Sequence, residues 1–478
     1  MSSVPEPLPS SKAERWFFMD WMRIFAVMQV LFVHALQFFD SHPQAYAFKL
    51  RPDTHPPIAI VDAYNLYGHM LGMPLLFIVS GASAVLAYSS KRNVFKTISA
   101  RAFRLLLPLT VGLFLLIIPS KFITREYQVC GTQPNPDNFF YYYYFYFRYC
   151  FTGHGLWWLW FLMILFAVTS VVLPLIDTAS ALMLRPENAK SHRQSNTYFL
   201  IYCAAIALVC LAARLPYMCI VAMIIQLYVI TGLLSTKVTS KQNNGMFAWT
   251  AFWLSFFARI LFHIVLPSKD RGAGSWLFVV LGFTQCVIQG AAVVAYKDDF
   301  IEFVRDRVKL GYFGIVTFIF SLLIMGILGG QEDPRWDYLK FNGIYVTYGG
   351  GFGALNRMGF TISSTTLAVT VFLFSFLTLN HQVNPWFYRF MHRSTICVYM
   401  VHGLPQCIVA MLVRPLPVVY QTFLLVVIPT LTSYMLAILI DNTPYLRIPF
   451  GFSGAPTKLP CLKRREVSEE DDGMSQIA

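Results

Sequence analysis

Charge is scarce in this chain. Only 13% of its 478 residues are Asp, Glu, Lys or Arg, against about 25% in an average soluble domain. That scarcity excludes a disordered polyelectrolyte and argues against an ordinary cytosolic enzyme. Cysteine is equally sparing. The nine present include no CxxC and no Cys/His ligand spacing, so no metal site is expected. A Walker A loop, an HExxH helix and a GxSxG elbow are all missing from the sequence, leaving a nucleotide motor or a cytosolic hydrolase nothing to stand on. No internal repeat is visible, and the polar, Pro- and Ser-containing leader before the first apolar run does not read as a cleavable signal.

What is present is apolar: 56% of the residues are hydrophobic and 16% aromatic. A bilayer core of about 30 Å takes roughly 20 apolar residues per helix. Runs of that kind cover 17–39, 66–88, 105–123, 155–176, 197–214 and 216–235, then 246–266, 276–296, 312–329, 361–379, 395–413 and 418–440. The fifth and sixth meet at Arg214, Leu215 and Pro216 with only Leu215 between them, so the expectation is an all-α bundle of about 10–12 spans. The organisation expected is a polar leader over 1–16, a transmembrane domain over 17–440 and a disordered cytosolic tail over 441–478.

The 37 basic and 24 acidic residues leave a net charge of +13. Its placement decides its meaning. Lys91, Arg92, Lys96, Arg101 and Arg104 cluster between the second and third runs, and Lys297, Arg305, Arg307 and Lys309 between the eighth and ninth. Basic residues that recur in alternate loops orient a membrane protein, here with both termini cytosolic. Nucleic acid is therefore not an expected partner. The chain reads as a multi-pass integral membrane protein, with a plasma or inner membrane favoured. Cys130 and Cys150 share an outer loop and form a disulfide only if that compartment is oxidising.

Ionisable groups inside a span are costly, and each is a candidate for function. The first run holds Asp20, Arg23 and His34. At about 100° per residue, the eleven positions from Arg23 to His34 make three turns plus roughly 20°, so both side chains share a face on the order of 16 Å apart along the axis. Asp20 lies three residues before Arg23, where it can pair with it. Taken singly, Arg23 also suits a snorkelling interfacial arginine and His34 a hydrogen-bonded bundle histidine. Arg101 and Arg104 are spaced i, i+3 and can hold phosphates or serve as ordinary positive-inside charge. Ser80 with Gly81, Trp158 among Trp157 and Trp160, and His402 in YMVHGLPQ are weaker signals. Close helix packing, an interface belt (with carbohydrate stacking the lesser option) and a packed histidine are the simpler accounts of them.

Taken in order, these pieces resemble the acyltransferase-3 family of polytopic acyl-group transferases. Its first-helix signature is an arginine, ten residues and a histidine, matched by Arg23 and His34. Its cytosolic R-x-x-R is matched by Arg101 and Arg104, and PLLFIVSGAS, GLWWLWFLMILF and VYMVHGLP look like its softer motifs. Leu156 stands where many relatives have a histidine.

The resemblance implies transfer of an acyl group, acetyl or another short acyl, from acyl-coenzyme A to a hydroxyl of a carbohydrate or lipid-linked acceptor. His34 would be the general base, and Arg23, Arg101 and Arg104 would bind the donor. Asp20, Ser80, Trp158 and His402 would support them, with no bound cofactor and no metal. The alternative is a proton-coupled secondary transporter, which intramembrane Asp20, Arg23 and His34 also suit.

Overall fold

The computed structural model describes residues 16–39, 71–83, 94–123, 138–145, 351–379 and 385–452, with isolated positions at 50, 64 and 68 and between 283 and 314. The expected spans 155–176, 197–214, 216–235 and 246–266 lie outside the described residues, and so do Cys130 and Cys150. Among the described residues there is helix and no strand.

Helix α1, Phe17–Leu36, ends in a tighter 3-10 turn over Gln37–Phe39. α2 is Leu71–Ser83. α3, Val94–Gly112, widens into a π-helical turn over Leu113–Ile117 and resumes as α4, Ile118–Ile123. α5, Phe139–Phe145, is short and aromatic. The C-terminal part supplies α6, Gly351–Leu379, α7, Pro385–Val401, and α8, Gly403–Val413. It closes with α9, Val418–Asn442, and α10, Pro444–Arg447.

Among the described residues, three stretches are long and apolar enough to cross a membrane: Phe17–Phe39, Ala102–Ile123 and Val418–Asn442. α7 and α8 pass the same test as a pair bent by 59°. On α9, Val419, Phe423, Leu431, Met435 and Leu439 are exposed. An apolar helix face left uncovered by protein is what lipid covers. The chain is an integral membrane protein.

α1 differs from the other long helices in being buried along most of its length. It packs against α6, α7 and α9. At its N-terminal end Phe18 meets Phe372 and Phe376 edge-on, with ring centres 5.1 and 5.2 Å apart. Such T-shaped pairs add to the burial term and hold the helix in register. α2 crosses the helical residues around Val287 at close range. A β-carbon on Gly81 would run into the Val287 carbonyl, and one on Gly290 into the Ile78 carbonyl. Small residues at that crossing let the backbones approach.

The bend between α7 and α8 has a cause in the sequence. Pro405 has no N–H to give the Val401 carbonyl, and its ring crowds that same carbonyl. The helix turns at His402, although the bonds His402 N–H to Val398 O and Gln406 N–H to His402 O survive at 3.1 Å each.

Some boundaries differ from the sequence expectation. The span expected over 361–379 is already helical from Gly351. The span expected over 395–413 begins at Pro385 and is broken. Beyond the expected boundary at 440, α10 and the turn after it pack back, burying Phe450 and Phe452. The buried Asp441 anchors this turn, with Arg447 Nε at 3.2 Å and Arg393 Nη2 of α7 at 3.6 Å. The aromatic run from Phe139 is helical through Phe145. Asn138 caps it, its Oδ1 accepting from Phe140 N–H at 2.8 Å, and Tyr142 is buried against Phe122.

Candidate active site

Two polar clusters face α1, one near each end. The first gathers on Asp20, which is buried. Arg23, one turn on, donates from Nη1 to Asp20 Oδ1 at 2.9 Å. Its Nη2 donates to the hydroxyl of Ser83 at the end of α2, and Ser83 donates to the Val79 carbonyl at 2.7 Å. The other carboxylate oxygen of Asp20 accepts from the Tyr388 hydroxyl of α7. His392 follows Tyr388 by one turn, stacks on its ring and brings Nδ1 to 3.2 Å from Asp20 Oδ1. A carboxylate removed from water is tolerable when donors converge on it in this way.

Arg104 is exposed and lies within electrostatic reach of both Arg23 and Asp20. One carboxylate thus serves two guanidiniums, which leaves net positive charge where α1, α2 and α3 meet. Such a place suits an anion. Arg101 stands one turn before Arg104 on the backbone of α3. Its side chain lies outside the described residues, as does Trp158. Ser80 is half-buried on α2. The α2 hydroxyl that reaches Arg23 belongs to Ser83, three residues further on.

The second cluster is near the other end of α1, where His34 is half-buried and His402 is 1% exposed. His34 Nδ1 and His402 Nε2 are 3.0 Å apart, and the ring centres are separated by 5.1 Å. The far nitrogen of His402, Nδ1, lies 2.6 Å from the Tyr399 carbonyl oxygen. One turn after His402, Gln406 donates from Nε2 to the Leu31 carbonyl of α1 at 2.8 Å. Below this pair, the Tyr64 hydroxyl donates to Gln29 Oε1 at 2.7 Å.

The structure therefore brings Asp20, Arg23 and Arg104 together, and separately His34 and His402. Sequence reasoning missed Ser83, Tyr388, His392 and Gln406. A signal existed for three of them: Tyr388 with His392 and His402 with Gln406 are i, i+4 polar pairs on otherwise apolar helices. Ser83 had none beyond its place two residues after Gly81.

Both clusters draw on α1, and Arg23, His34, Ser83 and Arg104 all lie in one part of the chain that has a counterpart among known families. Residues 16–221 match the family model Acyl_transf_3, described as an acyltransferase domain. No curated protein matches the chain, and no solved structure does. Over residues 16–221 the chain is thus similar to an acyltransferase domain, and that part includes helices long and apolar enough to cross a membrane, which supports a membrane acyltransferase in general terms.

Proposed function

We propose that the protein moves a short acyl group, such as acetyl, from acyl-coenzyme A to a hydroxyl of a carbohydrate or lipid-linked acceptor. One observation carries this reading: a net-positive cluster and a histidine pair are each built on α1, through Arg23 and His34, about three turns apart. The donor is a long molecule with phosphates at one end and a thioester at the other. The cluster at Arg23 and Arg104 suits its phosphates, and Arg101 on the same helix as Arg104 suits them too. A pantetheine arm is long enough to run from there along α1 to His34.

At His34 the chemistry is general-base catalysis. The imidazole takes the proton of the acceptor hydroxyl while its oxygen attacks the thioester carbonyl. A C–O bond forms, the C–S bond breaks, and the imidazolium returns the proton to the departing thiolate. Atoms and charge balance with no metal and no redox cofactor. A positioned base of this kind is worth roughly 10²–10⁴ in rate.

The test uses purified full-length protein in lipid vesicles, labelled acetyl-coenzyme A and a panel of glycans and glycolipids. Transfer of label to a hydroxyl is expected. His34→Ala should abolish it while leaving the protein monodisperse. Full activity in that variant would overturn the assignment of the base, and label recovered only on water or on an amine would overturn the acceptor class.

A further inference from the structure

We propose that His402 is a positioning residue that fixes the tautomer of His34, and so decides which nitrogen of His34 acts as the base. The inference rests on the reading of His34 as base and goes beyond it.

The chain of hydrogen bonds begins at the Tyr399 carbonyl. A carbonyl oxygen only accepts, so the His402 nitrogen 2.6 Å away, Nδ1, carries the hydrogen and donates it. In the neutral ring the other nitrogen, Nε2, is then a bare acceptor. His34 Nδ1 lies 3.0 Å from that acceptor, so it is the donor of the second bond. A neutral His34 holding its hydrogen on Nδ1 has its lone pair on Nε2. The direction of each bond follows from the one before it, and the chain starts at a backbone atom that cannot change role.

The local backbone supplies the aim. His402 stands at the 59° break between α7 and α8, and the break follows from Pro405 three residues later. Tyr399 lies three residues before His402, so its carbonyl is on the same face of the last turn of α7. Gln406, bonded to the Leu31 carbonyl, holds the start of α8 against α1 just below His34. The His402 ring is therefore held at both ends, by the Tyr399 carbonyl and by the His34 ring. When His34 Nε2 takes a proton in the reaction, its Nδ1–H keeps the same acceptor, so no group has to reorient as charge develops. Holding an imidazole in the correct tautomer for proton transfer is worth on the order of 10²–10⁴-fold in turnover.

The experiment reads the tautomer directly and does not depend on finding the acceptor. Full-length protein labelled with 15N-histidine is reconstituted in lipid, and the His34 ring signals are identified by their loss in His34→Ala. The hydrogen is expected on Nδ1 in the unsubstituted protein. A His34 ring with its hydrogen on Nε2 would overturn the proposal, whatever the enzyme acylates. His402→Leu removes the acceptor and should move the hydrogen to Nε2. Turnover should fall on the order of 10²-fold with the donor KM unchanged. His402→Gln, whose carbonyl can reach the position of Nε2, should keep the hydrogen on Nδ1 and retain turnover within about tenfold of the unsubstituted protein. Equal losses in both variants with the tautomer unmoved would reduce His402 to a packing residue. Absence of any transfer, with the tautomer as expected, would count against the function and leave the positioning intact.

Discussion

Asp20 is the residue on which the positive cluster depends. Arg23, Tyr388 and His392 all turn toward its carboxylate, and Arg104 lies within its field. Taking that carboxylate away leaves a part-buried guanidinium without its counter-charge, a change that costs about 3 kcal/mol or more. Asp20→Ala should therefore lower the thermal unfolding midpoint in detergent by several degrees. Asp20→Asn, which keeps an acceptor for Arg23 and Tyr388, should lower it less. If both variants unfold with the unsubstituted protein, the cluster is not the anchor described above. Arg104 sits apart in this respect because it is exposed. Arg104→Ala is expected to leave the unfolding midpoint within about 1 °C, as surface substitutions commonly do, and to weaken binding of acyl-coenzyme A. Calorimetric titration of the donor against the variant measures this, and unchanged affinity would remove Arg104 from the donor site. Much at this scale was legible in the sequence. Arg23 and His34 share a face because eleven residues return a helix nearly to its starting angle, and Asp20 reaches Arg23 because three residues make almost one turn. Tyr388 and His392 could be seen only as polar residues on α7, since nothing local ties them to Asp20 368 residues away.

At the scale of elements, two backbone features place the side chains. The first is the bend at His402. Pro405→Ala restores the missing N–H and removes the ring clash, so α7 and α8 should straighten and the His402 ring should leave His34. Turnover is expected to drop at least tenfold while membrane insertion and donor affinity persist. Kinetics in vesicles, together with the His34 tautomer, would show whether the bend is responsible. The second is the crossing of α2 with the helical residues around Val287. Because the neighbour of Gly81 is the Val287 carbonyl and not a side-chain tip, a β-carbon there has to push backbone apart. Gly81→Ala should cost about 1–3 kcal/mol of stability. It should also draw Ser83, two residues on, away from Arg23. Sequence reading reached the small residues at this crossing as a packing signal but could not name the opposing strip of backbone. The proline in GLPQ was likewise visible, yet a proline alone does not say which way the helix turns or what the turn presents.

For the whole molecule, the direction of the helices matters. Asp20 pairs with Tyr388 and His34 with His402, each across 368 residues. Equal offsets over fourteen residues mean that α1 and the α7–α8 pair run side by side in the same direction. The first and eleventh spans of the expected order would do the same. The family match ends at residue 221, so the partners that α7 and α8 bring to Asp20 and His34 come from beyond it. The C-terminal turn holds α7 in place from the other side. Asp441 is almost fully buried and links Arg393 of α7 to Arg447 of α10. Asp441→Ala should destabilise the protein by about 3 kcal/mol and release that turn to proteolysis, because it leaves two guanidiniums around an empty place. Limited trypsin digestion, read at Arg447, would detect the release.

The scarcity of charge and the long apolar runs determined by themselves that this chain lives in a bilayer, because the solvent acts on composition and length alone. The spacing of Asp20, Arg23 and His34 determined that they share one helix face, because helical periodicity is local. Only the tertiary structure decided that Tyr388 and His392 close on Asp20 and that His402 stands behind His34. Those pairings depend on which helices become neighbours and on where Pro405 bends one of them, and no local rule carries that information across 368 residues.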